Sequence, residues 1–193
     1  MMRVINYTLI ESGDKPLVVF LHGAPGSLSA FIDYLKNKEL QESVNMISVD
    51  RPGYGHSNFG KEETSLEKQD FYISELIKLH RGTKSVILIG HSLGGPIVAK
   101  VAMKYPELVQ GLIIVAGSID PELEKEEWYR PLGRGLLGKL FLPKSFWVTN
   151  EEIYHLKNEL EMILPEWKDL KIPVTLIHGI EDNLVPKENA EFA

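Results

Sequence analysis

The chain predicts an α/β fold, a mostly parallel central sheet with helices on both faces and a helical insertion late in the chain. Short apolar runs recur at residues 17–21, 44–49, 85–89 and 112–115, as expected of strands buried on both faces of a parallel sheet. Segments with helical spacing alternate with them. One turn, Gly90-His91-Ser92-Leu93-Gly94, joins a strand directly to a helix. Alternation with short connections implies right-handed crossovers.

Taken in order, residues 3–10 alternate loosely and predict an outer strand, stopped by Ser12-Gly13-Asp14. Residues 17–21 follow as a buried strand. His22-Gly23-Ala24-Pro25-Gly26-Ser27 forms a loop leading into a helix over 28–38. After the 44–49 strand, Asp50-Arg51-Pro52-Gly53-Tyr54-Gly55-His56-Ser57 is rich in turn formers and reads as structural. Residues 66–79 show helical spacing, with Phe71, Ile73, Leu76, Ile77 and Leu79 at its apolar positions. Beyond the 85–89 strand and the serine turn, residues 96–104 predict an amphipathic helix, and 112–115 another strand.

The alternation then breaks. Residues 119–169 are charged, helical in pattern and rich in aromatics (Trp128, Tyr129, Phe141, Phe146, Trp147, Tyr154, Trp167), with no convincing strand. An ordinary crossover needs only about a dozen residues, so this stretch of about fifty reads as a lid over the strand C-termini. A plain crossover of two or three helices is the alternative. Residues 172–177 return to strand. The organisation is therefore a core over 1–118, the insertion over 119–169 and the core continued, incomplete, over 170–193.

At 193 residues, 44% apolar and 25% charged, the composition is that of a globular domain. A net charge of −6 argues against a nucleic-acid partner, which needs a basic footprint. The absence of cysteine excludes disulfides and thiol chemistry and fits a cytoplasmic setting. The first residues, from Met1 and Met2 on, show no signal-peptide pattern, and no segment approaches 18 consecutive apolar residues. No membrane partner is expected.

The serine turn carries the chemistry. So sharp a strand-to-helix turn puts Ser92 in strained backbone geometry, and Gly90 and Gly94 leave no Cβ between strand and helix. The hydroxyl is lifted clear of the sheet, and N–H groups at the helix start face the same place. That combination is a nucleophile with half an oxyanion hole.

With these pieces in this order, the chain resembles the α/β-hydrolase superfamily, in its lidded esterase, lipase and peptidase-like branch. The resemblance spans nearly the whole chain and makes Ser92 the nucleophile. It implies a second oxyanion donor from the His22–Gly26 loop, so that the backbone N–H groups of Ala24 and Leu93 hold the oxyanion. Gly179-Ile180-Glu181-Asp182-Asn183-Leu184-Val185-Pro186 looks like the family's acid loop, with Asp182 as the triad carboxylate. Asp120 is the alternative acid position, though its place before Pro121 suits a helix N-cap. A serine where an aspartate would stand argues against dehalogenase and epoxide-hydrolase chemistry. No metal or organic cofactor is implied.

One departure stands out. The family order is serine, acid, histidine, yet only eleven residues follow Asp182 and none is histidine. A closing strand and helix are missing too, and a full ending needs roughly 35–55 more residues. Of the six histidines, His22 and His178 end strands, His56 sits in a turn and His80 ends a helix. His91 is expected to pack beneath the serine turn, and His155 lies in the insertion. None is a natural base. The sequence thus reads as a serine hydrolase for a small acyl substrate, weakly active or inactive in this length, and as a fragment rather than a natural short form. A catalytically inactive binding protein of the same fold is the alternative. Ester, amide and C–C bond hydrolysis are not separable from sequence. The strand at 172–177, left as a bare apolar edge, invites self-association.

Overall fold

The computed structural model describes residues 3–125 and 127–192; Met1, Met2, Glu126 (inside the insertion) and Ala193 lie outside them. Six strands form one sheet: β1 (Tyr7–Ile10), β2 (Leu17–Leu21), β3 (Asn45–Val49), β4 (Val86–His91), β5 (Gly111–Val115) and β6 (Val174–Ile177). The spatial order is β1-β3-β2-β4-β5-β6. Only β1 runs antiparallel, pairing Tyr7 with Val49; every other pairing is parallel, as expected for α/β architecture.

Helices cover both faces. Leu17, Val19 and Leu21 of β2 and Val86 and Leu88 of β4 face a core shared with α3 (Leu66–Arg81) and α4 (Gly94–Lys104). Val18 and Phe20, one residue out of phase, face Phe31 and Leu35 of the segment that includes α1 (Ile32–Lys36). A period of two thus sorts β2 between two cores. The predicted helix over 28–38 is in fact three pieces: a 3-10 turn (Leu28–Phe31), α1 and α2 (Lys38–Ser43). Asn37 breaks it with extended angles and caps α2, its side chain accepting from the Leu40 N–H.

The helix predicted as amphipathic is α4, and it is buried from Gly94 through Met103. It is enclosed by the sheet, α3 and the 3-10 turn Leu164–Asp169. Even Lys100 is buried along its stem, its ammonium held 2.6 and 2.7 Å from the Glu166 carboxylate oxygens. The apolar stem packs while the charge finds a partner.

The insertion contains no strand among its described residues. It comprises 3-10 turns, α5 (Gly135–Phe141) and the long α6 (Lys144–Ile163). Leu156, Leu160 and Ile163 anchor α6 in the main core, and Trp147 and Val148 pack on Tyr54. Trp128, Leu132, Leu136, Leu140 and Phe141 are exposed. At the far edge, Val174 and Leu176 pack inward while Thr175 and Ile177 are exposed, and no strand pairs with the outer side of β6 among the described residues.

Where β2, β4 and α4 meet, backbone replaces side chain. A Cβ on Gly94 would lie 2.4 Å from the Leu21 carbonyl oxygen, and one on Gly90 2.5 Å from that of Gly94. Gly111, at the start of β5, has only ordinary contacts, the nearest at 3.6 Å. Gly94→Ala is therefore expected to destabilise the fold by about 1–3 kcal/mol, the usual cost of overpacking. Gly111→Ala should be close to neutral. Urea unfolding of both variants measures this; equal midpoints would contradict the packing argument.

Candidate active site

Ser92 occupies the junction between β4 and α4 with φ of +50°, a left-handed conformation that costs a serine of order 1–3 kcal/mol. Two hydrogen bonds hold it. Its N–H donates to the Val115 carbonyl at 3.0 Å, extending the β4–β5 ladder, and its carbonyl accepts from Gly95 N–H at 2.8 Å. Leu93 follows in helical geometry at the N-terminus of α4. The His22–Gly26 loop lies directly against this turn, since a Cβ on Gly23 would be 2.8 Å from Ser92 Cβ. Among the described residues, neither Ala24 N–H nor Leu93 N–H has an intramolecular acceptor. Unpaired backbone donors are uncommon when buried, and Leu93 is buried.

The loop is held from beneath by a buried polar cluster that the sequence did not reveal. Arg51, 1% exposed, donates from Nε to the His22 carbonyl at 2.8 Å and from Nη2 to the Gly23 carbonyl at 3.3 Å. Its Nη1 and Nη2 also pair with Glu152 of α6 at 2.7 and 3.0 Å. Tyr54 donates to the same carboxylate at 2.6 Å, and Gln69 Nε2 at 3.2 Å. Asp50, beside Arg51, ties the neighbouring loops together, accepting from the N–H groups of Leu28 and His56 and from Asn6 Nδ2. Arg51 and Glu152 are 101 residues apart, so no spacing rule links them.

His22 belongs to this cluster. Its Nε2 accepts from the Arg51 N–H at 3.0 Å, so the ring proton sits on Nδ1, which donates to the Gly23 carbonyl at 2.6 Å. Burial, reinforced by the Arg51 charge, pushes its pKa down to about 3. It is a fixed neutral donor and acceptor, not a base.

Asp182 is half-buried in its loop. Its Oδ1 accepts from the N–H groups of Leu184 and Val185 at 2.9 and 3.0 Å. These bonds hold its pKa below the usual carboxylate value, with smaller help from His178 and His91. Its other oxygen lies 3.6 Å from His178 Nε2, which is itself 3.0 Å from the Val185 carbonyl. Asp120, the alternative acid, instead caps the turn it precedes by accepting from Glu122 N–H.

The remaining histidines are dispersed. His80 bonds the Tyr7 hydroxyl, His155 meets Arg134, and His56 is exposed. His91 corrects the sequence expectation. It is exposed rather than packed beneath the turn, because it ends β4 on the side facing the Gly23 loop, where a Cβ would lie 3.1 Å from its Nδ1. Partial desolvation of the ring against the loop lowers its pKa, and the Asp182 charge opposes that shift. A cavity of about 420 Å³ lies farther off, lined by Glu124, Trp128, Arg130, Ile153, Tyr154 and Lys157 among others, with no residue of the Ser92 turn.

The depressed His22 pKa has a sign. Between about pH 6.5 and 3 the unfolded chain binds a proton here that the folded chain refuses. The contribution is complete above about pH 6.5 and is lost as pH falls toward 3. His22→Asn removes this dependence. The stability gap between wild type and His22→Asn should shrink by roughly 1.4 kcal/mol per pH unit below about pH 6. Urea unfolding at pH 7 and pH 4.5 measures it; an unchanged gap would contradict the neutral, buried imidazole.

Comparison with known proteins bears on the family and the fold. A 2-(acetamidomethylene)succinate hydrolase from Mesorhizobium japonicum is 36% identical over 125 residues, 63% of this chain and 42% of that protein. A proline iminopeptidase from Saccharolobus solfataricus is 32% identical over 117 residues, 58% of this chain and 37% of that protein. The matched stretch thus spans less than half the length of these relatives. Among solved structures, the Paleococcus ferrophilus monoacylglycerol lipase superposes with a TM-score of 0.74 at 18% identity, covering 100% of this chain and 83% of that one. An esterase from Exiguobacterium antarcticum gives 0.73 at 24% identity, covering 98% and 82%. At these identities the likeness speaks for the fold. The model of the alpha/beta hydrolase fold family matches residues 16–140, well over half of the chain, and the chain belongs to that family.

Proposed function

We propose that this chain is a serine hydrolase acting on an ester, amide or related acyl bond of a small substrate. The observation that carries this is the strained Ser92 at the β4–α4 junction, with the Gly23–Ala24 loop pressed against it. Ser92 Oγ attacks the acyl carbon, its proton passing through solvent water to the leaving atom, and the Ala24 and Leu93 N–H groups hold the developing oxyanion. The protonated leaving group departs, and water then cleaves the acyl-enzyme. Asp182, ionised and with one oxygen free of backbone bonds, is the carboxylate that would orient an imidazole. The insertion, anchored by α6 and carrying exposed aromatics, acts as a lid. The relatives named above are a hydrolase and a peptidase, which supports the reaction class and leaves the substrate open.

One observation favours a second reading. His22, His80, His155 and His178 each hydrogen-bond a partner other than Ser92, so the fold is also compatible with binding without turnover. A p-nitrophenyl butyrate assay decides between them. The expected result is Ser92-dependent hydrolysis, at least about 10³–10⁴-fold above the uncatalysed rate even where no imidazole serves the serine, and abolished by Ser92→Ala. Hydrolysis untouched by Ser92→Ala, or none in the wild type, would overturn the proposal.

A further inference from the structure

We infer that Glu152, on α6 of the insertion, is a positioning residue that acts through Arg51 to aim the Ala24 N–H at the oxyanion. This rests on the reading of Ala24 as an oxyanion donor. The first ground is the burial of the pair. Arg51 is 1% and Glu152 4% exposed, and the two meet in a bidentate bridge at 2.7 and 3.0 Å. Desolvating two charges offsets most of what their attraction returns, so apolar residues of like volume would serve stability as well or better. What an ion pair adds is direction.

Here the direction is imposed on a single peptide group. The Gly23 carbonyl and the Ala24 N–H belong to the same planar unit, pointing to opposite sides. The carbonyl oxygen accepts from His22 Nδ1 at 2.6 Å and from Arg51 Nη2 at 3.3 Å. Clamping that oxygen fixes where the N–H points, away from the cluster. A guanidinium at the carbonyl also polarises the unit and strengthens its N–H as a donor. Arg51 Nε holds the preceding carbonyl, of His22, at 2.8 Å, so two successive peptides are tied to one guanidinium.

The guanidinium is held in turn from the insertion. Glu152 takes both terminal nitrogens, and its carboxylate is steadied by Tyr54 and Gln69. Tyr54 also meets Thr149 Oγ1, one helical turn before Glu152, at 3.0 Å. Displacing α6 therefore pulls on Arg51 and rotates the Gly23–Ala24 peptide. The insertion sets the oxyanion donor without touching the reacting atoms.

The test compares the wild type, Glu152→Gln and the double variant Arg51→Met with Glu152→Leu. Three readouts are needed: urea midpoint, p-nitrophenyl butyrate kinetics and the ¹H–¹⁵N resonance of Ala24. The double variant should stay folded, its midpoint lowered only by the lost Arg51 bonds to the His22 carbonyl and Gln69, yet lose about tenfold or more in kcat with KM little changed, part of the roughly 10²–10³-fold that a whole oxyanion donor supplies. Its Ala24 resonance should move, and Glu152→Gln should show the same two changes to a smaller degree. A double variant with wild-type kcat and an unmoved Ala24 resonance overturns the inference, as does kcat that simply tracks stability across the three proteins. A moved resonance with unchanged Ser92-dependent turnover overturns instead the role of Ala24 as donor, and the coupling to catalysis with it.

Discussion

The site depends on how closely three backbones approach. The ends of β2 and β4 and the start of α4 converge so tightly that Gly90, Gly94 and Gly23 have no room for a Cβ. At Gly94 the obstacle is the carbonyl of Leu21; at Gly23 it is the side chain of Ser92 itself. This crowding forces the strand to turn within two residues, drives Ser92 to φ of +50° and leaves its Cβ against the loop after β2. The strain at one serine is small against the burial that surrounds it. α4 is enclosed over ten consecutive residues, and β2 is buried along its whole length.

A second layer then supports the loop. Arg51, His22, Tyr54, Gln69 and Glu152 form a cluster in which each charge has a partner and the imidazole has a fixed tautomer. Such a network is favourable only when fully satisfied, since a half-satisfied one leaves a buried charge exposed to a low dielectric. Here the arginine meets two carbonyls, a carboxylate and an amide oxygen, and the carboxylate meets three different side chains. The insertion is thereby joined to the loop after β2 by polar contacts, and to the main core by the apolar anchor of Leu156 and Leu160.

Much of this was legible in the chain. The parallel strands show as apolar runs because both of their faces are covered, and the Gly-x-Ser-x-Gly turn shows because its geometry tolerates so few residues. Asp120 reads correctly as a cap from the proline behind it. What was hidden was tertiary. Arg51 sits in a turn rich in glycine and proline, and Glu152 in a helix dense with charge, where a solvated face is the ordinary reading; only the fold brings them within 3 Å. The burial of α4 was missed because its lysine suggests an open face, while Glu166, far along the chain, closes it. The break at Asn37 was missed because its capping role depends on angles that composition does not encode.

On the proposed reading, Ser92 Oγ and the N–H groups of Ala24 and Leu93 converge on one acyl group, the first at its carbon and the others at its oxygen. The most direct measurement is a crystal structure of the chain after reaction with a p-nitrophenyl alkylphosphonate, which leaves a tetrahedral, negatively polarised oxygen on the nucleophile. Phosphorus is expected bonded to Ser92 Oγ, with one phosphoryl oxygen about 2.7–3.1 Å from both Ala24 N and Leu93 N. An adduct on another side chain, or a Ser92 adduct whose oxygens point away from both amides into solvent, would contradict it.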